Sequence, residues 1–511
     1  MEDGAEIWNS GYVTDLEYTH GFYRELEPGY LSCATLLSGN MPPDIESKFT
    51  YCELGCGNGL STNIIASAWP QGNFYGIDFN PSHIVNGNLL SKAAGLTNIK
   101  FLEADFRDLE EYSLPDFDFI TVHGVLSWIN AESRKAIQRF VLKKLKPGGI
   151  LYLSYNCLPG WAAAMPVREL MKRFADDTYG STMDKVNAAI NSVEKAFTVK
   201  SGFFNNNTAA ESRFNQIKKG DKHYLAHEYF NRDWQPFYFS DIISEFGNSK
   251  VNFIDSAELF DRYTSIYAND NALQMINQAG DLTMKETLKD YFLNRMFRKD
   301  IFMRGTNRLS LREHNEKIND LRFTLCIPKN NVKLTMQFPF GEAKGKEEIY
   351  NPVFEALSDK SMTIRELCGI PKLSGAPFPS IVQAVTMLTA SGQVSLAGLG
   401  ENNRKSVDRM NQAIMERALY SNDIKFLVSP VLRTGVYTPW FIQLLLNAGH
   451  QNMKPEDYVW GALQALGQRL QKDGKPIQEP EKNKEEIRLK LSEFQKSDLP
   501  YFTRLKIKSR I

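Results

Sequence analysis

The sequence predicts an α/β domain built on a doubly wound, mostly parallel sheet, followed by a longer and mostly helical region. Three observations carry this. The run Tyr51-Cys52-Glu53-Leu54-Gly55-Cys56-Gly57-Asn58-Gly59 sets glycines at alternate positions where a short apolar strand meets a helix. Four further strand-like segments follow in order, two with an acid at or near the end and one opening on a glycine turn. After Asn156 the strand signals stop and helical spacing prevails.

Taken in order, the glycine turn comes first. Glycines let the backbone turn sharply and let a ligand approach, because no Cβ intervenes. The helix that starts behind them offers unpaired N–H groups. Such turns are shared by many nucleotide binders, so the later segments decide. Asn73–Asp78 reads as a second strand ending in an acid, about twenty residues past the last glycine, placed to hydrogen-bond a ribose diol. Phe101–Phe106 reads as a third strand whose Asp105 is placed to accept from an adenine amino group. Asp116–Gly124 reads as the fourth strand and the loop after it, and Leu145–Ser154 as a Lys-Pro-Gly-Gly turn and the fifth strand. A dinucleotide dehydrogenase or an unrelated parallel-sheet domain is the alternative on these features alone.

The acidic-x-Gly-x-Gly-x-Gly form, with the four segments behind it, resembles motif I of the class I S-adenosylmethionine-dependent methyltransferases. The resemblance implies a Rossmann-like class I methyltransferase domain with S-adenosyl-L-methionine as cofactor. It also implies cofactor contacts from Glu53, Gly55, Gly57, Gly59, Asp78, Phe79, Asp105, Phe106 and His123.

Composition bounds the rest. A chain of 511 residues holds two to four domains with ample core. Sixty basic and sixty acidic side chains leave no net charge, hence no global field toward nucleic acid or an anionic membrane. Six scattered cysteines without a zinc-type pair predict reduced thiols and a cytoplasmic protein. The acidic, polar start and the absence of a long apolar run predict no signal peptide and no membrane insertion.

Residues 1–45 are expected to form an arm over the cofactor, with Tyr18, His20 and Arg24 as contacts; a surface helix with packed tyrosines is the alternative. Residues 46–161 form the cofactor-binding domain, its sheet completed by a segment within 298–338. Residues 162–298 read as a helical insertion, 345–400 as a winged-helix-like unit and 401–511 as further helices. The third helix of the winged-helix-like unit, Ile381 to Met387, carries no Lys or Arg, which points to protein contact or a structural role and away from DNA. His227 and Glu228 are adjacent on a helix, face different directions and read as structural rather than as a metal pair.

Across nearly the whole chain the order of parts resembles bacterial methyltransferases with a methyltransferase regulatory domain, a family that includes the rickettsial protein lysine methyltransferases. The likeness rests on Gly55–Gly59, Val122–Trp128, Tyr155–Trp161, His227–Asn231 and Ser429–Gly435, with Arg433 standing where glycine is usual. It implies a protein substrate presenting lysines, such as a bacterial surface protein, and a homodimer. A lysine must be attacked as the free amine, so the site has to exclude water or lead a proton away. Trp128 and Trp161 are read as an aromatic wall, and Tyr155 and Asn156 as groups that orient the amine. His123 is read as a cofactor contact or proton relay. A small-molecule or glycan methyltransferase and a low-turnover cofactor-binding scaffold are the alternatives.

Overall fold

The computed structural model describes residues 20–220, 222, 225, 229–398, 403–472 and 474–507. Tyr18, His227 and Glu228 lie outside the described residues. The central sheet has seven strands in the order β3-β2-β1-β4-β5-β7-β6. These are β1 (Phe49–Leu54), β2 (Gly72–Asp78), β3 (Ile99–Glu103), β4 (Phe117–Val122), β5 (Leu145–Asn156), β6 (Asn252–Ser256) and β7 (Phe297–Met303). The first five are parallel, and β7 pairs antiparallel with both β5 and β6. The five strands read from the sequence occupy one contiguous part of the sheet.

Local chemistry sets the helix starts. Asn80 accepts from the Ser82 N–H ahead of helix Pro81–Ala93, and Asn130 accepts from Ser133 ahead of helix Ala131–Lys144. Apolar side chains cover both faces of the sheet. Ile64, Phe74 and Met303 belong to one core cluster, and Leu54, Ile120 and Phe302 to the other.

The segment 162–298 is not one helical insertion. Helices Met165–Asp176, Thr182–Val199 and Thr208–Lys218 share a small core of their own with Trp161 and Tyr229. From Phe237 onward the chain returns to the sheet, packing helix Phe239–Gly247 on it and adding β6 at the edge. The backbone N–H and C=O groups of its strands need partners, and the open edge of β5 supplies them through β7.

Of residues 298–338 only the stretch to Met303 joins the main sheet. β8 (Arg322–Leu325) is the middle strand of a separate three-stranded sheet, beyond which lies the hairpin β9 (Thr335–Phe338) and β10 (Gly341–Lys344). The flanking strands of that sheet are β11 (Met362–Thr363) and β12 (Val394–Leu396), around helices Glu347–Asp359, Ile364–Cys368 and Phe378–Ala390. The unit expected to begin at 345 thus takes its central strand from further upstream.

The C-terminal region adds a second hairpin, β13 (Phe426–Ser429) and β14 (Thr434–Tyr437), among helices. It is tied to the sheet domain at the end of helix Leu60–Ala68. Asn403 Nδ2 donates to Ala68 O at 3.0 Å, Ser406 Oγ to Ser67 O at 2.7 Å, and Trp69 Nε1 to Arg433 O at 3.2 Å. Among the described residues no helix is long and apolar enough to cross a membrane.

Candidate active site

The glycine turn is built as its chemistry demands. Gly55 and Gly59 have φ of 73° and 68°, a region costly for residues with a Cβ. A Cβ at Gly55 would fall 2.4 Å from Val125, and one at Gly59 2.5 Å from the Phe101 ring. The turn therefore needs glycine for its conformation and for its close neighbours.

Beside the turn, at the carboxyl ends of β1, β2 and β4, lies a pocket of about 870 Å³ counted to its open mouth. Asp78 lies on its floor. Its Oδ2 accepts from the Gly57 N–H at 2.9 Å, and its Oδ1 accepts from the Asn80 N–H at 2.9 Å and lies 3.1 Å from His83 Nδ1. The carboxylate is thus aimed before any ligand arrives. Glu53 is buried and accepts from the Thr62 hydroxyl at 2.5 Å. Burial pushes its pKa up to about 7, against the Thr62 hydrogen bond, and the nearby Asp78 charge adds to the rise.

His123 and Trp128 line the far side. His123 Nδ1 lies 2.9 Å from the Tyr152 hydroxyl and 3.1 Å from Ser154 Oγ, which leaves Nε2 for the pocket. Burial pushes the His123 pKa down to about 4, opposed by Glu25 and helped by Lys299, so the ring is neutral near pH 7. Residues of the arm close over this side. Ser61 Oγ lies 3.3 Å from both the Tyr23 N–H and Gly21 O, and the Tyr23 ring lies against His123.

The structure brings His20, Glu53, Gly55, Gly57, Asp78, Phe79, Phe106, His123 and Trp128 to one pocket, with Gly59 turning the chain behind it. It does not bring the others there. Asp105 caps the turn after β3 by accepting from Arg107 N–H and pairs with the Arg107 guanidinium at 2.9 Å. Arg24 turns away and donates to the Thr389 and Ala390 carbonyls. Tyr155 is fully buried and donates to Asp300 Oδ2 at 2.6 Å. Asn156 is buried opposite Phe297, its N–H on Ser127 Oγ. Trp161 packs inside the helical insertion, against Tyr229 and Trp234. Tyr155 and Asn156 are shut off because β7 and the segment after β5 cover the end of β5, and Trp161 because the core of the three helices takes it.

Tyr23, Cys56, Asn58, Ser61, His83 and Ile129 also line the pocket and escaped sequence reading. Tyr23 belongs to the aromatic stretch already singled out, but an extended segment does not announce which face it turns inward. His83 stands in the first turn of helix Pro81–Ala93 and carries no sequence signal of its own.

Among the described residues lining the pocket none is Lys or Arg, while Glu53 and Asp78 are acids. That charge pattern suits a sulfonium cation and offers no counter-charge to a pyrophosphate. The glycine cradle, the acid ending β2 and the apolar Phe79 and Phe106 fit S-adenosylmethionine.

Comparison with known proteins agrees. A family model described as a methyltransferase domain matches residues 45–227, and one described as a predicted methyltransferase regulatory domain matches 221–304. The second match covers β6 and β7, so the segment that carries the regulatory name completes the catalytic sheet. An uncharacterized protein of Synechocystis sp. is 38% identical over 503 residues, 98% of this chain and 99% of its own. An uncharacterized protein of Rickettsia prowazekii is 25% identical over 61% of this chain and 56% of its own. The structure of PKMT2 from Rickettsia typhi in complex with AdoHcy superposes with a TM-score of 0.69 at 18% identity, covering 97% of this chain and all of that one. Sequence, pocket and fold meet in one assignment: the chain belongs to the class I S-adenosylmethionine-dependent methyltransferases that carry a methyltransferase regulatory domain.

Proposed function

We propose that the protein is a protein lysine N-methyltransferase of the cytoplasm. The observation that carries this reading is the acceptor side of the pocket, walled by the rings of Tyr23, His123 and Trp128, with no Lys or Arg among the described residues that line it. Bound S-adenosylmethionine supplies a methyl carbon on a sulfonium, open to in-line displacement by a neutral amine. The rings exclude water and so favour the free amine over the ammonium. They also interact through their faces with the methylated ammonium that results. His123, held neutral and fixed at Nδ1, presents Nε2 as an acceptor for an amine N–H. The proton shed by the amine leaves to solvent at the open mouth. Trp128 keeps the wall role expected of it, Tyr23 stands in for Trp161, and His123 takes the orienting role expected of Tyr155 and Asn156. The winged-helix-like unit, whose third helix bears no Lys or Arg, serves as a protein contact.

The test is transfer of radiolabelled methyl from S-adenosylmethionine into a lysate of the source cell, separated into protein and small molecules. Label on protein that hydrolyses to methyl-lysines is the expected result. Label confined to small molecules or glycans overturns the lysine reading in favour of that acceptor class.

A further inference from the structure

Asp78 ends β2, and the residues just after it fold back onto its side chain. Asn80 caps helix Pro81–Ala93 through its side chain, and its backbone N–H donates to Asp78 Oδ1 at 2.9 Å. His83 follows in the first turn of that helix, where its Nδ1 lies 3.1 Å from the same oxygen. From the glycine turn the Gly57 N–H donates to Oδ2 at 2.9 Å.

A carboxylate offers about four lone-pair sites, two on each oxygen. Asn80 and His83 take both on Oδ1, and Gly57 takes one on Oδ2. One site is left for a ligand. A ribose brings two neighbouring hydroxyls, each with a hydrogen to place, and a hydroxyl left unpaired when it is buried is costly. Asp78 by itself serves one of them.

The second acceptor stands beside it. An ionised carboxylate only accepts, so the His83 Nδ1 that faces Asp78 carries the hydrogen, and in the neutral ring Nε2 is then an acceptor. His83 is 7% exposed and lines the cofactor pocket. Its Nε2 has no hydrogen-bond partner among the described residues and is not sealed from solvent, so it opens to that pocket. Asn58 also lies on the pocket wall, but its Oδ1 already accepts from Asn86 Nδ2 at 3.0 Å.

We propose that His83 is a cofactor-binding residue, and that Asp78 and His83 divide the ribose of S-adenosylmethionine between them. One hydroxyl donates to Asp78 Oδ2 and the other to His83 Nε2. Through Nδ1, His83 is at the same time a positioning residue for Asp78. The inference concerns the cofactor alone and stands whatever the methyl acceptor is.

The test titrates the full chain by calorimetry with S-adenosylhomocysteine and with its 2′-deoxy and 3′-deoxy forms. The wild type should bind either deoxy form about tenfold more weakly than the parent ligand. His83→Phe keeps a ring of similar size and should bind S-adenosylhomocysteine about tenfold more weakly. It should bind one deoxy form as tightly as the parent ligand and still lose about tenfold on the other. Asp78→Ala should show the same indifference toward the opposite hydroxyl. His83→Gln, which keeps a donor and an acceptor, should regain sensitivity to both. Each comparison is made between ligands within one variant, so a general loosening of the fold cancels. The proposal falls if His83→Phe binds S-adenosylhomocysteine as the wild type does, or if it still distinguishes both deoxy forms from the parent ligand. It falls equally if His83→Phe and Asp78→Ala become indifferent to the same hydroxyl, because His83 would then act only by holding Asp78.

Discussion

The ring of Tyr23 lies on that of His123, centroids 4.0 Å apart and inclined at 41°, and this contact fastens the arm to the loop after β4. Such aromatic pairs contribute about 0.5–1.5 kcal/mol beyond their area. Tyr23→Ala is therefore expected to weaken S-adenosylhomocysteine roughly two- to tenfold by calorimetry. Tyr23→Phe keeps the ring and should retain most of the affinity. An unchanged affinity in the alanine variant would detach the arm from the pocket's energetics.

Asp78 is the acid whose loss should cost the most binding. It is fixed by two backbone N–H groups and lines the pocket floor. A hydrogen bond to a charged group contributes about 1.5–3 kcal/mol, so Asp78→Ala should cost roughly ten- to a hundredfold in cofactor affinity. Calorimetry at constant pH reads this directly, and wild-type affinity would remove Asp78 from the ribose role.

Stability should depend on pH through Glu53. Its folded-state pKa is raised to about 7 by burial, above the ordinary carboxyl value, so the folded chain prefers the protonated form. The associated stability is fully present below about pH 4 and is lost as pH rises toward 7. Glu53→Gln removes this dependence, and the variant should gain on the wild type by on the order of 2–3 kcal/mol between pH 4.5 and 7.5. Denaturant melts at the two pH values measure it. Glu27, also raised to about 7 by burial, keeps part of the slope in the variant.

Tyr155 and Arg298 belong to a buried ionic network. Arg298 holds Asp290 at 2.7 Å, Asp300 at 2.9 Å and Glu286 at 3.0 Å, and Tyr155 donates to Asp300. Removing the cation strands buried carboxylates, so Arg298→Met should destabilise by about 3–5 kcal/mol. Tyr155→Phe should lower stability by about 1.5–3 kcal/mol and leave S-adenosylhomocysteine affinity at the wild-type value. A loss of affinity without a loss of stability would return Tyr155 to the active site.

Arg433 has φ of 53°, where its likeness to relatives expects glycine. Its guanidinium compensates by stacking 4.7 Å over Trp69 and pairing with Glu46 at 2.8 Å. Arg433→Ala loses those contacts and keeps the strain, whereas Arg433→Gly loses the contacts and relieves it. The alanine variant should be the less stable by about 1 kcal/mol in urea melts. Equal stabilities would show that the left-handed turn carries no strain.

Much of the catalytic domain was legible in the chain. The glycines, the acid ending β2 and the order of five strands rest on local needs: backbone freedom at a turn, an apolar run, a capping side chain. The cofactor side of the pocket followed from them, down to Glu53 and Asp78. The far side did not. Tyr155 and Asn156 stand at the end of a strand, where ligands usually bind, and only the pairing of β5 with a strand some 140 residues later covers them.

The same division runs through the arm and the domain bounds. The sequence by itself determined that this is a class I methyltransferase with a turn shaped for S-adenosylmethionine, because those features are written in neighbouring residues. The tertiary structure alone decided that Tyr23 rather than Arg24 lines the pocket and that the regulatory segment completes the sheet. Each of these depends on which distant segment packs against a given face, and an extended or apolar stretch carries no local mark of its partner.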